Sequence, residues 1–278
     1  MSAASNATNE ARPVVVKIGG LGVESPAAAA PLFRALIDVH QREPGGVVIV
    51  HGGGQAVDQH LARLGIHSKR HEGLRITSRE EIHEIVGVLA GRVNKAIVGA
   101  VAALGCPAVG ICLGDGGTAC AAQHKPGGVD IGRVGEITGG DPKFMRLLLR
   151  DGFMPIVAPI AFDEAGEPLN VNADDAAAGL AAILGARLLV LLTDVPGVLD
   201  GDGRLVREAD TARVEEMISA GVIKGGMAPK VRAAARAAGI ARTPTLIASW
   251  NEPENLGRII QGEALGTRVI APEAAIAR

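Results

Sequence analysis

A series of short aliphatic runs constrains the fold of this chain more than any other sequence feature. They are bounded by Gly, Pro or Asp, and patterns of helical periodicity occupy most of the intervals between them. Such runs are typical of strands buried on both faces, and their alternation with helices favours a mainly parallel sheet. The sequence therefore predicts a three-layer α/β/α sandwich. The runs are residues 14–18, 47–50, 108–113, 154–160, 188–192, 245–248 and 268–270.

The intervals predict the helices, and two of them break the pattern. Residues 114–138 are rich in glycine and turn residues, and residues 162–169 are typical of a hairpin, so we expect β-hairpin decorations at one end of the sheet. Residues 96–114 form the longest uncharged stretch, but a Gly-Cys-Pro break at 105–107 favours a helix end and a strand over a membrane span. The predicted helices are residues 27–40, 55–64, 79–104, 142–151, 174–185, 211–220, 227–239 and 253–261.

Charge and composition disfavour several classes of partner. Lys and Arg total 28 against 30 for Asp and Glu, a formal charge of -2, and aromatic residues make up 2% of the chain. A basic surplus for nucleic acid or an anionic membrane and aromatic platforms for base stacking are both absent from this composition. The odd count of 3 cysteines contains no CxxC pair, so a reducing cytoplasm is expected rather than a disulfide framework or thiolate zinc site.

Two strand ends carry glycine motifs that suit an anion. The first strand delivers Lys17 to Gly19 and Gly20, and a lysine at the end of a buried parallel strand favours an anionic ligand, although a solvated lysine beside a turn remains an alternative. The second strand ends in His51-Gly52-Gly53-Gly54 ahead of a helix, whose N-terminus attracts phosphate. A hydrolase oxyanion loop would need a GxSxG elbow, which the sequence lacks, while a plain tight turn stays possible.

Asn170 and Asn172 indicate a polar site ahead of the helix predicted at 174–185. Alternation places both amides on one face of an extended segment, and Asp174 stands at the expected helix cap.

Residues 114–119 match a degenerate dinucleotide motif far from the first βα turn, so a structural turn and the dinucleotide site of an oxidoreductase are alternatives there. Arg75 is either a carboxylate-binding fork or a surface arginine. Lys230, early in the helix at 227–239, opposes the helix dipole unless an anion compensates.

These motifs together resemble the amino acid kinase family over residues 14–271. Strand-Lys-x-Gly-Gly, HGGG, GLRIT, NVNAD, TDVPGVL, GGMxPK, IASW and LGTRVI occur in the order seen in the short, enterobacterial-type kinases of N-acetylglutamate in that family. The resemblance implies the amino acid kinase fold and ATP-dependent phosphorylation of the side-chain carboxylate of N-acetyl-L-glutamate, in arginine biosynthesis. It also implies one domain at 13–278, with an acylamino-acid lobe at 13–173 and a nucleotide lobe at 174–278. The segment before it, residues 1–12, is small and polar with no apolar run, so a flexible N-terminus is expected rather than a signal peptide.

The resemblance also assigns roles to residues. Lys17 and Lys230 would flank the transferred phosphoryl group, and Asp174 would hold both lysines. ATP would arrive with Mg²⁺ held mainly by phosphates and water. The implied phosphate-binding residues are Gly19, Gly20, Gly53 and Gly54; the implied substrate-binding residues are Gly53, Gly54, Arg75, Asn170 and Asn172; the implied nucleotide-binding residues are Asp194, Val195, Pro196, Gly197, Val198, Leu199, Val222, Ile223 and Lys224.

Alternatives within this resemblance stay open. A sister kinase could act on another carboxylate, such as carrier-bound aminoadipate, or on carbamate or a free amino acid, and a silent member could bind arginine or acylglutamate as a regulator. The short N-terminus further predicts a homodimer insensitive to free arginine, with the helix at 79–104 supplying the interface.

Overall fold

The computed structural model describes residues 11–223, 227–263 and 265–270, and of residues 227–230 it describes the backbone alone. Most of the segment predicted as flexible, residues 1–12, therefore lies outside the described residues. The strands, in chain order, are β1 (Val14–Ile18), β2 (Val47–His51), β3 (Arg70–His71), β4 (Leu74–Arg75), β5 (Ala108–Cys112), β6 (Cys120–Gln123), β7 (Val134–Gly139), β8 (Met154–Ala158), β9 (Ile160–Phe162), β10 (Pro168–Val171), β11 (Leu188–Thr193), β12 (Glu208–Asp210), β13 (Thr245–Ser249) and β14 (Thr267–Ile270).

The helices follow the predicted intervals within a few residues, except the short first helix, which was not predicted. They are α1 (Leu21–Glu24), α2 (Ala30–Arg42), α3 (Gly54–Arg63), α4 (Glu81–Val86), α5 (Asn94–Ala103), α6 (Lys143–Arg150), α7 (Ala173–Leu184), α8 (Thr211–Ser219), α9 (Met227–Ala241) and α10 (Leu256–Ile260). A π-helical segment, Gly87–Val93, joins α4 to α5 without a break. The predicted helix at 79–104 is therefore one continuous rod. It begins at a capping box, in which Ser78 and Glu81 exchange side-chain bonds to each other's backbone N–H groups.

The central sheet has eight strands in the order β12-β14-β13-β11-β1-β2-β8-β5. Its neighbouring strands run parallel except β13 and β14, which confirms the predicted mainly parallel sheet. Strands β1 and β11 lie side by side at its centre. The carboxyl ends of β1, β2 and β11 therefore open at the same edge, where ligands of open α/β sheets bind.

The predicted run at 154–160 is two strands rather than one. β8 stays in the central sheet and Pro159 separates it from β9, which pairs antiparallel with β10. The predicted hairpins do form, but they join into a small closed barrel of order β10-β7-β6-β9. Closure occurs because β9 also meets β6, at Phe162 and Cys120, and it removes exposed strand edges.

Two apolar clusters cover the faces of the central sheet. On β1, Val15 packs toward α7 and α9, whereas Val14, Val16 and Ile18 pack toward α2, α3 and α5. This alternation follows from the two-residue period of a strand. It confirms the predicted three layers and fixes the face that each later residue of β1 presents.

The rod from Glu81 to Ala103 is long and apolar enough to match a membrane span by length and composition. In the fold, one side of the rod is buried in the apolar cluster shared with α2 and α3. The buried side chains of the rod include Ile82, Ile85, Val88, Leu89, Val93, Ile97 and Val101.

Candidate active site

Two adjoining cavities open at the carboxyl ends of the central strands. The larger, about 320 Å³, lies over β1, β2 and β10, and the smaller, about 230 Å³, lies over β1, β11 and β13. Both are lined by Lys17, Gly19, Gly20 and Asp174, which form the junction between them. We call the larger the acceptor-side cavity and the smaller the nucleotide-side cavity.

Lys17 and Asp174 form an ion pair at this junction. Lys17 lies two residues after Val15 on β1, so its side chain emerges on the face covered by α7. The Lys17 Nζ atom is 3.0 Å from the Oδ1 atom of Asp174, in the first turn of α7, and both side chains are largely buried. Such pairing holds the ammonium group in one position.

Asn172, rather than the expected Asp174, caps helix α7. Its backbone is extended at ψ 134, and its side-chain oxygen accepts hydrogen bonds from the backbone N–H groups of Asp174 (2.9 Å) and Asp175 (3.2 Å). The prediction that Asp174 caps the helix is therefore wrong, because Asn172 stands at the last non-helical position. The consequence is that the carboxylate of Asp174 is available to Lys17.

The glycine pair after β1 brings backbone close to the junction. Gly20 has φ 52, a left-handed conformation, and accepts the first backbone bonds of the short α1. A Cβ atom on Gly20 would lie 3.7 Å from the ring of Trp250, and one on Gly19 would lie 3.6 Å from the Lys17 Nζ atom. Side chains at these positions would thus occupy space at the junction itself.

The His51-Gly-Gly-Gly turn leads from β2 into α3. Gly53 has φ 152, and a Cβ atom there would lie 2.6 Å from Leu89, so glycine is required by both conformation and space. Gly54 begins α3, whose first N–H groups have no acceptor within the helix. Gly53 and Gly54 line the acceptor-side cavity, which gives it a helix N-terminus suited to an anion.

His51 is a buried support of this turn. Its Nδ1 atom lies 2.7 Å from the Gly52 carbonyl oxygen, and its Nε2 atom lies 3.2 Å from the side-chain nitrogen of Asn94, which also donates to the Ile156 carbonyl. Burial lowers the pKa of His51 to about 4, although the bond to Gly52 acts in the opposite direction. The imidazole is therefore neutral at physiological pH, with Nδ1–H donating and Nε2 accepting.

Arg75 lies buried in the wall of the acceptor-side cavity, next to the start of α3. Its guanidinium donates to Ser68 Oγ (2.5 Å) and the Gly54 carbonyl (3.1 Å) and pairs with Asp58 at 2.6 Å. Burial of Asp58 opposes the shift, yet Arg75 and Arg70 hold the pKa of its carboxyl below the usual range. These contacts exclude the surface-arginine interpretation, since the Arg75 side chain is only 6% exposed.

Asn170 lines the same cavity from β10. Its side-chain nitrogen lies 3.5 Å from the Thr77 hydroxyl oxygen. The acceptor-side cavity thus brings together every predicted phosphate-binding and substrate-binding residue, although they span much of the chain. They are Gly19, Gly20, Gly53, Gly54, Arg75, Asn170 and Asn172.

The predicted nucleotide-binding residues are more dispersed. Asp194 lines the nucleotide-side cavity, whereas the side chains of Val198 and Ile223 belong to the apolar core. The loop after β11 is fixed to the start of β14, because the Val198 N–H group donates to the Thr267 hydroxyl at 2.8 Å. Lys224 lies outside the described residues.

Lys230 belongs to the first turn of α9, and its backbone is helical. One turn later, at the i+4 position, Ala234 lines the nucleotide-side cavity together with Lys17 and Asp174. Residues four apart share a helix face, so Lys230 lies on the face of α9 that adjoins the cavities.

Sequence reasoning missed several residues that line the nucleotide-side cavity. Trp250 follows β13, and its backbone N–H group donates to the Thr193 carbonyl at 3.0 Å. A single tryptophan at a strand end in a chain with 2% aromatics was an available signal. The other missed lining residues carry no such signal in the sequence; they are Thr193 and the aliphatic residues Leu191, Leu192, Ala234 and Ile247.

The arrangement suits transfer of an anionic group between two bound molecules. Ammonium groups and helix N–H groups stabilise spread negative charge, and they offer no ligands to a cation. Among the described residues no cluster of three or more His, Cys, Asp or Glu could hold a metal ion.

Comparison with known proteins shows which family this sequence matches. The model of the amino acid kinase family matches residues 12–249. Acetylglutamate kinase of Aeromonas salmonicida is 42% identical over 256 residues, which cover 92% of this chain and 97% of that protein. Acetylglutamate kinase of Moritella profunda is 42% identical over 257 residues, covering 92% and 96%.

A solved structure shows the same fold at lower identity. N-acetylglutamate synthase from Neisseria gonorrhoeae, complexed with coenzyme A and N-acetyl-glutamate, is 22% identical with a TM-score of 0.73. The match covers 93% of this chain and 59% of that one. Because that protein is a synthase, the fold alone does not decide which reaction a chain catalyses.

Proposed function

Because this chain belongs to the amino acid kinase family, we propose that it phosphorylates the side-chain carboxylate of N-acetyl-L-glutamate with ATP, a step of arginine biosynthesis. The observation that carries the proposal is the Lys17–Asp174 pair at the junction of two cavities. Its support is the high identity to acetylglutamate kinases along almost the whole chain.

In this reaction a carboxylate oxygen of the acceptor forms a bond to the γ-phosphorus of ATP, and the bond from that phosphorus to the β,γ-bridging oxygen breaks. ADP leaves, and the product is an acyl phosphate. The nucleophile has no proton to lose, so the protein needs to align two anions and offset their charge more than to supply a base. Lys17 at the junction fits this demand, because it faces both cavities.

We assign the remaining roles on the same basis. Lys230, from α9, would approach the transferred group from the side opposite Lys17, and Asp174 would hold the lysines in place. Gly20 and the start of α3 at Gly54 would donate N–H groups to phosphate oxygens. Arg75 would bind the α-carboxylate of the acceptor as a planar fork.

The two halves of the central sheet suggest how the substrates divide. β5, β8, β2 and β1 all precede residue 173, and β11, β13, β14 and β12 follow residue 174. We therefore assign acceptor binding to residues 13–173 and nucleotide binding to residues 174–278, within a single domain. Mg²⁺ would enter with the nucleotide, neutralise phosphate charge and keep phosphate and water ligands, since Asp174 Oδ1 already faces Lys17.

A coupled assay of ADP release tests the function directly. N-acetyl-L-glutamate should be strongly preferred to free L-glutamate, because a site that fits an amide leaves its polar groups mispaired against an ammonium group. Mispairing of a buried polar group costs about 1–3 kcal/mol, and more for a charge. Equal kcat/KM values for the two acceptors would contradict the proposal.

The same assay separates the alternatives. Preference for carbamate, free amino acids or an aminoadipate on a carrier would identify a sister kinase. Binding of arginine or acylglutamate without turnover would identify a regulator.

We further propose that the enzyme is a cytoplasmic homodimer. Strand β5 lies at the edge of the sheet, and the exposed side of the adjoining rod from Glu81 to Ala103 carries small residues such as Gly91, Ala96 and Gly99. Small residues allow close approach of two copies about a two-fold axis. Light scattering of the purified protein should give twice the monomer mass, and a monomer or hexamer would contradict the interface.

A further inference from the structure

The first turn of α7 carries two consecutive aspartates that contact different elements. Asp174 pairs with Lys17 on β1. Asp175 binds Arg236 of α9 through both oxygens, with Nε to Oδ1 at 2.9 Å and Nη2 to Oδ2 at 3.0 Å. Consecutive helical residues differ by about 100° in direction, so one turn of helix can hold two neighbours. The same turn is fixed by the Asn172 cap.

Between α7 and α9 the packing is made largely by alanines. The buried residues of this interface include Ala177, Ala178 and Ala181 on α7 and Ala234, Ala237, Ala238 and Ala241 on α9. Apolar contacts between such short side chains are non-directional. The two-point bond between Asp175 and Arg236 adds a directional contact between the two helices to these non-directional ones.

The register of α9 determines where Lys230 stands. Lys230 precedes Arg236 by six residues, about 9 Å along the helix axis at 1.5 Å per residue. A shift or rotation of α9 against α7 would therefore move Lys230 relative to Lys17, which Asp174 holds from the neighbouring position.

Burial and the charge of Arg236 act on the pKa of Asp175 in opposite directions. Burial raises the pKa of Asp175, and the adjacent Asp174 charge adds to this effect, whereas Arg236 lowers it. A second carboxylate beside Asp174 is therefore electrostatically unfavourable unless Arg236 pairs with it.

We propose that Asp175 and Arg236 are a positioning pair for the phosphoryl transfer. They set α9 against α7, so that Lys230 and Lys17 meet the same phosphoryl group from two elements. This inference rests on the proposed function for the role of the lysines. The contact between the helices does not depend on it.

A second ion pair on α9 provides a matched control. Arg232, one turn earlier, binds Glu215 of α8 with Nε to Oε1 at 2.9 Å and Nη2 to Oε2 at 3.0 Å. Its two-point geometry and the exposure of its arginine resemble those of the Arg236 pair, but Glu215 is more exposed than Asp175, and α8 lines neither cavity. A role common to any ion pair on this helix would affect both equally.

The experiment measures kcat, both KM values and the Tm of Asp175→Asn, Arg236→Gln and their double variant, beside Glu215→Gln and Arg232→Gln. We expect kcat to fall about 10-fold in the first three, with KM for the acceptor within twofold, because misplaced reacting groups lower the rate of the chemical step. The double variant should lose no more than either single one, as coupled residues do. Arg236→Lys should recover part of the loss, and Arg232→Gln should keep kcat within twofold.

Two results would overturn the inference: near-normal kcat in Arg236→Gln, or an equal loss in Arg232→Gln. Hydrogen exchange of residues 227–241 gives a readout without turnover. It should rise in Arg236→Gln more than in Arg232→Gln, and equal exchange would also overturn the inference. Failure of the wild-type enzyme to phosphorylate N-acetyl-L-glutamate would instead reject the proposed function, and hydrogen exchange would still decide whether Asp175 and Arg236 fix the helix.

Discussion

The acceptor-side and nucleotide-side cavities share a junction but differ in how their walls are made. Polar groups with defined partners line the acceptor side, among them Arg75 bound to Ser68 and Asp58, and Asn170 beside Thr77. Aliphatic and aromatic side chains dominate the nucleotide side, where Leu191, Leu192, Ala234, Ile247 and Trp250 line the cavity. A small charged acceptor is selected by matched polar contacts, whereas a flat base and sugar can be held by apolar contact.

The largest effect on kcat is expected from residues at the junction, which both cavities share. Lys17→Ala should lower kcat by about 10²-fold to 10³-fold, because its charge acts on oxygens that become more negative in the transition state. Lys230→Ala should do the same, and arginine at either position should restore little, since a planar fork replaces a compact ammonium group. Steady-state kinetics for both substrates give the measurement.

Asp174→Asn is the companion test of this junction. It should also slow the chemical step, and its fold should stay intact because Asn172 supplies the helix cap. If these variants kept a normal kcat and changed only KM, the residues would bind substrates without stabilising the transition state.

A fall in pH should lower the free energy of unfolding through His51, which supports the glycine turn on the acceptor side. Its pKa of about 4 lies below the ordinary value of 6.5, so the unfolded chain binds the proton more tightly than the folded one. This contribution to the free energy of unfolding is present above pH 6.5 and is lost as pH falls toward 4, by about 3 kcal/mol in total. When denaturant unfolding is measured at several pH values, the free energy of unfolding should change less steeply with pH in His51→Gln than in the wild type. In His67→Gln, where the replaced side chain is exposed, the free energy of unfolding should depend on pH as in the wild type. The same wild-type pH dependence in His51→Gln would show that His51 is not the group responsible.

Replacement of Arg75 should weaken binding of the acceptor without changing binding of the nucleotide. Arg75→Lys loses the two-point geometry, so KM for N-acetyl-L-glutamate should rise about 10-fold while KM for ATP stays within twofold. Arg70→Lys is the comparison variant, because Arg70 pairs with the same Asp58 and lines the same cavity but is half exposed, so its effect on this KM should be smaller. Equal increases in both KM values for Arg75→Lys would mean that the cavities are not independent.

The smallest expected signal comes from Trp250, the single tryptophan of the chain. It lines the nucleotide-side cavity and not the acceptor-side one, so a non-hydrolysable ATP analogue should shift its emission to shorter wavelength as water is excluded. N-acetyl-L-glutamate alone should leave the emission unchanged. A shift with the acceptor alone would show that the two sides are coupled before the nucleotide binds.

Local sequence determined the elements and the kind of chemistry. The aliphatic runs and the helical periods between them predicted the layers, the mainly parallel sheet and every central strand except β12, because burial on both faces selects continuous apolar segments. Glycines followed by a helix predicted the anion-binding turns, and motif order identified the family. Lys17, Arg75 and Asn170 could be selected because each interrupts an otherwise apolar or turn-forming context.

Only the tertiary structure decided which of these groups meet. The helix cap fell to Asn172 because the first helical residue depends on how β10 enters α7. The hairpins closed into a barrel because β9 leaves the sheet at Pro159, and no local pattern specifies its contact with β6. The pairing of Asp175 with Arg236 spans 61 residues, and the apolar wall around Trp250 is built from residues that look like any other core. Short-range periodicity encodes elements, whereas contacts between distant residues arise only when the whole sheet assembles.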